Sequence, residues 1–358
     1  MKFKLKLFRI PPVILLSLVL LKGNAQSKHY IDSRPFASLR MPCQDEGIVL
    51  RYGDGPDSCD EFGAREAIVN RVGDTYFLFY DGAGKDGWKA CLAESTDLKK
   101  WKKKGAILHL GDSTKKDSKS ASSPWVIQSD GIWHMFYLGT PNVSPAPYRV
   151  PSFPYMTMKA QAKSLEGPWI KQYDVVPFSN VEGTYYSSTA SPGYIIKTKD
   201  GYLQFFSSSF VDSTGTHRTL GLATTKNLDG PWHVSEKPLL PVTEQVENSS
   251  LYYEKKLKTW FLFTNHIGIT TEGEEYTDAI WVYWSKDLYS WNKDHKSIVL
   301  DKENCVWAKG AIGMPSVIQV GDKLAVLYDA PGGESISHMY RNIGLAWINL
   351  PLDMNAIK

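Results

Sequence analysis

Cysteine is scarce in this sequence, and its spacing excludes a zinc site built from thiolates. Only four cysteines occur in 358 residues, and none forms the C-x-x-C pair typical of zinc ligands. In an oxidising compartment, Cys43 and Cys59 could form a disulfide that fixes the N-terminal segment. Cys91 lies in an apolar, strand-like run, where we expect a buried thiol.

The sequence also lacks the motifs typical of three other classes of protein. No long run carries apolar residues at a period of 3.6, which excludes a helical repeat. No G-x-S-x-G motif marks the nucleophile turn of a serine hydrolase. No dense cluster of lysine and arginine provides the basic patch of a nucleic-acid-binding domain. We therefore expect neither a helical solenoid nor a nucleic-acid partner.

The first 25 residues have the pattern of a secretory signal peptide. A basic start at 2–9 precedes an apolar segment at 10–21, and Ala25 ends a run of small residues suited to cleavage. The apolar segment is too short to span a membrane. We expect a periplasmic or secreted protein without membrane association after cleavage. Residues 26–358 then form a single domain, with 26–60 as its N-terminal segment.

A strand-like run that ends in tryptophan occurs four times, at 91–101, 160–169, 220–232 and 282–291, and a truncated copy follows at 343–350. Self-similarity at a period of about 40–60 residues is typical of a repeat architecture. The recurring tryptophans are expected to pack between outer strands rather than to bind ligand; they are Trp101, Trp169, Trp232 and Trp291.

Each copy is preceded by two further apolar runs that are separated by a turn. The second run of each pair is aromatic, as at 75–81 and 201–206, and the turns carry pairs such as Gly73-Asp74 and Gly321-Asp322. The unit is therefore four antiparallel strands, repeated five times. This pattern predicts an all-β chain folded as a five-bladed β-propeller.

Propeller geometry brings the start of each first strand and the end of each second strand to one face. Acidic residues concentrate at these positions and in the long loops of the same face. Aromatic and amide groups accompany them, as a sugar-binding cleft requires. The acidic residues are Glu66, Asp81, Glu182, Glu247, Asp278 and Asp329, and their neighbours include Trp125, Asn265 and His266.

The repeated strand pairs, the A-x-S-x-D-L-x-x-W and S-L-x-G-P-W turns and the secretory leader resemble the five-bladed glycoside hydrolases, glycoside hydrolase family 43 most of all. The resemblance spans residues 60–350 and implies a base before blade 1, a pKa-tuning aspartate before blade 2 and a glutamate acid. Glu247 matches the acid and Glu66 takes the place of the base. Ser123 stands where the second aspartate belongs, so the chain resembles a divergent relative.

We expect Glu247 to be the catalytic acid, Glu182 the second carboxylate and Glu66 the next candidate, because glycoside hydrolysis generally needs two carboxyl groups in different protonation states. The expected substrate contacts are Arg65, Asp81, Trp125, Asn265, His266 and Asp278. For Asp329 a turn is the favoured interpretation. No metal or cofactor is required, although a structural cation on the propeller axis stays open.

The predicted function is an exported, exo-acting hydrolase that releases a terminal sugar from plant or algal oligosaccharides, in the manner of an arabinofuranosidase, xylosidase or galactosidase. Two alternatives stay open. A glycoside phosphorylase needs a cationic cluster, and its candidates Arg65, Arg149, His266, Lys309 and Arg341 are scattered along the chain. A non-catalytic glycan-binding propeller is consistent with Ser123.

Overall fold

The structure is a computed structural model that describes Arg34 and residues 37–357. These residues form strands, turns and very little helix, so the predicted all-β class is confirmed. The predicted signal peptide at 1–25 lies outside the described residues. Within the described part, no helix has the length and apolar character needed to cross a membrane.

Twenty strands account for most of the regular structure in the described residues. They are β1 (Gln44–Leu50), β2 (Ala64–Val72), β3 (Thr75–Gly84), β4 (Gly87–Ser95), β5 (Lys102–Ala106), β6 (Ser120–Ser129), β7 (Ile132–Thr140), β8 (Tyr155–Ala162), β9 (Ile170–Lys171), β10 (Thr189–Thr198), β11 (Gly201–Asp212), β12 (Gly215–Thr225), β13 (His233–Val234), β14 (Val246–Glu254), β15 (Thr259–Ile269), β16 (Glu275–Ser285), β17 (Lys296–Asp301), β18 (Ser316–Val320), β19 (Lys323–Ala330) and β20 (Asn342–Asn349). Short 3-10 helices lie at Pro56–Ser58, Val242–Glu244 and Met354–Ala356.

In the described residues, antiparallel pairing groups the strands into five units of four, which we number 1 to 5 along the chain, and short parallel pairs β4–β6 and β8–β10 join units 1 to 3 into one 12-stranded sheet. Units 1 to 4 run β2–β5, β6–β9, β10–β13 and β14–β17, and unit 5 joins β18, β19, β20 and β1. Two-residue turns close the first hairpins of units 1, 2 and 5, as the Gly-Asp and Asp-Gly pairs predicted.

Unit 5 takes its fourth strand from the beginning of the chain. β1 pairs antiparallel with β20, so that Gln44 lies opposite Trp347 and Leu50 opposite Ile343. The truncated fifth copy therefore has a full complement of four strands. The N-terminal segment predicted at 26–60 includes this strand, which the repeat pattern did not reveal.

The units contact one another in the order 1, 2, 3, 4, 5, and unit 5 contacts unit 1 through β18, β19 and β2. Apolar side chains fill the spaces between neighbouring units. Ile68 and Phe79 of unit 1 pack with Ala121 and Met135 of unit 2, for example. Burial of these side chains supplies most of the driving force for assembly of the ring.

The four recurring tryptophans close the turns that precede them. Their indole N–H groups donate to the carbonyl of the leucine three or four residues earlier, at 2.9 Å for Trp101, 3.2 Å for Trp169, 3.3 Å for Trp232 and 3.1 Å for Trp291. None lines the central cavity of the ring. The interpretation of these residues as packing elements is confirmed.

The disulfide that Cys43 and Cys59 could form is absent, because all four cysteines are free and these two lie in different cores. Cys59 and Cys91 share the core between units 5 and 1, and Cys91 is fully buried as expected. Cys43 packs instead against the core that contains Cys305. Burial raises the pKa of the Cys43 thiol to about 12.

A bulge near the start of the first strand gives three units a strained residue. Glu66, Ser123 and Asn248 have φ of 53°, 48° and 68°, a left-handed conformation that costs energy in non-glycine residues. Each is held by the preceding unit. The backbone N–H of Glu66 donates to Asp329 Oδ2 at 2.9 Å, that of Ser123 to Asp81 Oδ1 at 2.5 Å, and that of Asn248 to Ser207 Oγ at 3.0 Å.

Asp329 also neutralises Arg341, whose Nη1 donates to Asp329 Oδ1 at 2.7 Å in a fully buried pair. Asp329 therefore links unit 5 to unit 1, a contact that we call the Asp329 clamp. The interpretation of Asp329 as a turn residue is wrong, because its side chain binds the neighbouring unit. The position of Glu66 therefore depends on the contact between units 5 and 1.

We predict that Asp329→Asn lowers the free energy of unfolding by about 3 kcal/mol, because it leaves the buried guanidinium of Arg341 without a counter-charge. Urea denaturation of purified protein measures the effect. The matched control is Asp322→Asn on the exposed hairpin turn of unit 5, which should change stability by less than about 0.5 kcal/mol. Equal stabilities for the two variants would contradict the clamp.

Candidate active site

A cavity of about 390 Å³ lies where the first strands of the five units begin. All five units contribute to its wall, which places it at the centre of the ring. The lining residues are Arg65, Glu66, Asp81, Trp88, Ser122, Ser123, Trp125, Leu138, 150–153, Tyr155, Ser191, Pro192, Arg218, Glu247, Asn248, Ile267, 275–277, Gly313, Met314, His338 and Arg341.

Five of the residues predicted for the site meet in this cavity: Arg65, Glu66, Asp81, Trp125 and Glu247. The chain around the junction of the second and third strands also contributes, through 150–153 and Tyr155 in unit 2 and through Ile267 and 275–277 in unit 4. The cavity is therefore enclosed by loops of units 2 and 4 above the strand ends.

The other four predicted residues do not line the cavity. Glu182 lies in an exposed turn. Asp278 follows Thr277 in β16, so their side chains point to opposite faces of the strand. Thr277 lines the cavity, whereas Asp278 forms an ion pair with Arg34 at 3.3 Å. Asn265 is fully buried and its amide donates to Ala279 O at 2.8 Å, which ties β15 to β16. The structure thus does not bring Glu182 to the two other catalytic candidates.

His266 is also buried away from the cavity. Its Nε2 lies 2.9 Å from the hydroxyl of Tyr283, and its ring stacks on Trp281 with centroids 4.1 Å apart. Tyr283 in turn donates to Glu244 Oε2 at 2.6 Å, and Lys296 pairs with the same carboxylate. These buried contacts give His266 a packing role inside unit 4.

Glu66 reaches the cavity from the strained bulge of β2. Its Oε2 accepts a hydrogen bond from Ser123 Oγ, and its Oε1 lies 3.9 Å from Arg65 Nη2. Burial raises the pKa of the Glu66 carboxyl, while Arg65 and the Ser123 hydroxyl act in the opposite direction. Glu66 is therefore a carboxyl group suited to hold a proton.

Glu247 enters the cavity from the first strand of unit 4 in a different environment. Its Oε2 lies 3.2 Å from Arg218 Nη1, and its side chain is 29% exposed. Arg218 also pairs with Glu275, so one guanidinium bridges two carboxylates. The fixed positive charge of Arg218 supplies a counter-charge for an ionised Glu247. Glu66 and Glu247 thus present two carboxyl groups to one cavity in contrasting surroundings.

The repeat pattern of the sequence does not reveal Arg218, Glu275 or His338 as cavity residues, and it indicates Arg341 only as a candidate phosphate ligand. Arg218 and Glu275 lie at the start of third strands, and His338 and Arg341 in the loop before the third strand of unit 5. These loops reach the same face, which is the signal that could have found them. Desolvation and then the charges of Arg65, Arg341 and Arg218 lower the pKa of His338.

Arg65 is the cation of the cavity with the fewest partners. Its guanidinium stacks over Trp88 at 4.9 Å from the ring centroid, and its Nε has no hydrogen-bond partner among the described residues. Within the same part of the chain, no group of three or more histidine, cysteine or acidic side chains is arranged to hold a metal ion.

Several solved structures share this fold. A complex of BT0996 with RGII is 14% identical, with a TM-score of 0.67 over 86% of this protein and 92% of that one. Zg3597, a family 117 glycoside hydrolase of Zobellia galactanivorans, is 16% identical, with a TM-score of 0.61 over 88% and 94%. The catalytic domain of a Coprinopsis cinerea family 62 α-L-arabinofuranosidase is 12% identical, with a TM-score of 0.59 over 86% and 97%.

A family 43 glycoside hydrolase is similar as well, and the predicted resemblance to five-bladed propeller glycoside hydrolases is confirmed as a likeness of fold. No protein-family model and no curated protein sequence matches the chain. The comparisons therefore show the fold of the chain, and the chemistry of the cavity depends on the residues that line it.

We predict that the His266 imidazole stays neutral at about pH 5, because burial lowers its pKa well below the ordinary value and Lys296 and Arg34 act in the same direction. The ¹⁵N chemical shifts of the ring nitrogens measure its protonation. The urea-unfolded chain is the control, in which histidine titrates near about pH 6.5. Protonation of the folded-state ring near that pH would contradict the assignment of His266 to the core.

Proposed function

We propose that this chain is an exported glycoside hydrolase whose domain, residues 26–358, is a five-bladed β-propeller with units 1 to 5 as its blades. The observation that carries the proposal is the pair Glu66 and Glu247. Both face one central cavity, one hydrogen-bonded to Ser123 and the other in an ion pair with Arg218. Two carboxyl groups in unlike environments are the usual machinery of glycoside hydrolysis.

The contrast between the two glutamates supports an assignment opposite to the one expected from the sequence. The raised pKa favours Glu66 as the group that is protonated and delivers a proton to the leaving oxygen. Glu247, beside the cation of Arg218, serves as the ionised carboxylate on the other side of the bond. Glu182 has no part in this proposal, because it lies in an exposed turn outside the cavity.

The shape of the cavity supports exo action. Segment 150–155 and residues 275–277 rise on two sides, and Met314 and Gly313 lie between the units at the axis. A volume of about 390 Å³ accommodates one or two sugar residues rather than a long chain. Trp125, Tyr155 and Phe153 offer apolar faces to the C–H surface of a ring.

The similar structures include a family 62 α-L-arabinofuranosidase and the complex of BT0996 with RGII. Their names support a terminal furanose or pyranose on a plant or algal oligosaccharide as the substrate of this chain. The signal-peptide pattern at 1–25 supports export to the periplasm or the medium.

We predict that Glu66→Gln and Glu247→Gln each lower kcat/KM by about 100-fold or more on the substrate, since each removes an acid–base or charge-stabilising group. Release of monosaccharide from aryl glycosides and an oligosaccharide panel, followed by chromatography, measures activity. Glu182→Gln is the matched control and should stay within about 3-fold of wild type.

In the wild type, activity should fall as pH rises through the raised pKa of Glu66, because a general acid works only while protonated. The hydrolase assignment fails if the wild type releases no sugar from the panel, and binding without release would favour a glycan-binding propeller. Loss of activity in Glu182→Gln instead of the other two variants would contradict the proposed pair.

A glycoside phosphorylase is the second candidate, because the structure gathers cations that are scattered in the sequence. Arg65 and Arg341 meet Arg218 on the cavity wall. The other cations considered for this role do not reach it: Lys309 binds the carbonyls of Lys302 and Cys305, and Arg149 that of Lys85.

We predict that turnover is independent of inorganic phosphate, since Arg218 and Arg341 are already paired with carboxylates and Arg65 lies 3.9 Å from Glu66 Oε1. The measurement compares product formation with and without phosphate and examines the products for sugar 1-phosphates. Arg65→Gln is assayed in parallel. Strict phosphate dependence that disappears in Arg65→Gln would establish the phosphorylase instead.

A further inference from the structure

A short chain of hydrogen-bonding groups runs from Glu66 into the space between units 1 and 2. Ser123 Oγ contacts Glu66 Oε2 on one side and lies 3.2 Å from Asp81 Oδ2 on the other. The second oxygen of Asp81 accepts the Ser123 backbone N–H at 2.5 Å. Asp81 is only 2% exposed and Ser123 only 5%, so water does not solvate this contact.

Counting hydrogen atoms constrains the charge of the two carboxyl groups. The Ser123 hydroxyl has one proton, yet it lies between two carboxyl oxygens. If both carboxyls were ionised, one of them would face the oxygen lone pairs of the hydroxyl without a proton between them. A buried contact of that kind is strongly unfavourable. At least one proton must therefore reside on Glu66 or Asp81.

We propose that Asp81 is protonated and acts as a positioning residue: it donates from Oδ2 to Ser123 Oγ and thereby directs the Ser123 hydroxyl toward Glu66 Oε2. The inference rests on the proposed role of Glu66 as acid. With Oε2 fixed as an acceptor, the acidic proton of Glu66 is confined to Oε1, the oxygen nearer Arg65. An ionised Asp81 would attract the hydroxyl, and Glu66 would turn its proton toward Ser123 and away from the cavity.

The charged surroundings of Asp81 agree with this arrangement. It faces Glu66 and the thiol of Cys91, while its nearest cation, Arg65, lies closer to Glu66. Two further carboxylates lie near Glu66: Asp329, which is paired with Arg341, and Glu247. Burial, followed by the charge of Glu66, raises the pKa of Asp81 well above its ordinary value.

The proton on Asp81 is detected without any substrate. Infrared spectroscopy of the unliganded protein at about pH 7 separates carboxylic acids from carboxylates, and Asp81→Asn should remove one carboxylic-acid band. Asp97→Asn is the matched control, because hydrogen bonds from the Lys100 and Lys99 backbone lower the pKa of that surface aspartate and keep it ionised. Ser123→Ala should shift the Asp81 band without removing it.

The pH dependence of the free energy of unfolding is a second measure of whether Asp81 is protonated. A carboxyl with a raised folded-state pKa stabilises the fold below its unfolded pKa near 4, and the contribution is lost as pH rises through the folded pKa. Asp81→Asn, whose amide donates as the protonated acid does, should therefore gain stability relative to wild type as pH rises from about 4 toward the raised folded-state pKa of Asp81. Urea denaturation over this range measures the difference.

An unchanged carboxylic-acid band in Asp81→Asn, or a stability difference independent of pH, would overturn the proposal. Should Asp81→Asn fail to fold, the band shift in Ser123→Ala decides, and its absence overturns the proposal. Once a substrate is known, Ser123→Ala should lower kcat by about 10-fold with little effect on KM. Loss of the band in a protein that hydrolyses nothing would support the protonated Asp81 and reject the hydrolase.

Discussion

The hydrogen bond between one unit and the strained first strand of the next is the interaction on which the rest of the site depends. Glu66, Ser123 and Asn248 hold left-handed conformations only because Asp329, Asp81 and Ser207 bind their N–H groups. The bulge turns each side chain toward the axis instead of into the core. Geometry at the centre is thus a property of neighbouring units in contact.

Periodicity alone was sufficient to predict the class of fold, the unit of four strands and most of its hairpins. Apolar alternation, aromatic second strands and Gly-Asp turns are local signals, and the structure has strands at those positions. The pairing of β1 with β20 was not predictable in this way. Strand partners far apart in the chain leave no periodic trace, and 44–50 resembles many short edge strands.

For the candidate site, position within the repeat identified Glu66, Glu247, Arg65, Asp81 and Trp125 correctly as cavity residues. It failed for Glu182 because the path of a long loop is not encoded by the repeat. It also missed the Arg218 bridge between Glu247 and Glu275, which forms only when the third strands of units 3 and 4 approach each other. Charge pairing across units depends on tertiary structure, and it is the reason why we propose the opposite roles for the two glutamates.

The pairing of the first strand with the last has a consequence for how the chain reaches its native state. Joining Gln44 to Trp347 closes a loop of about 300 residues, at an entropic cost on the order of 5 kcal/mol. Such long-range pairing is slow. During synthesis, β1 is made before the other described strands and stays unpaired until β20 follows. The fourth strand pair of unit 5, and with it the wall of the cavity, is complete only after β20 has been made.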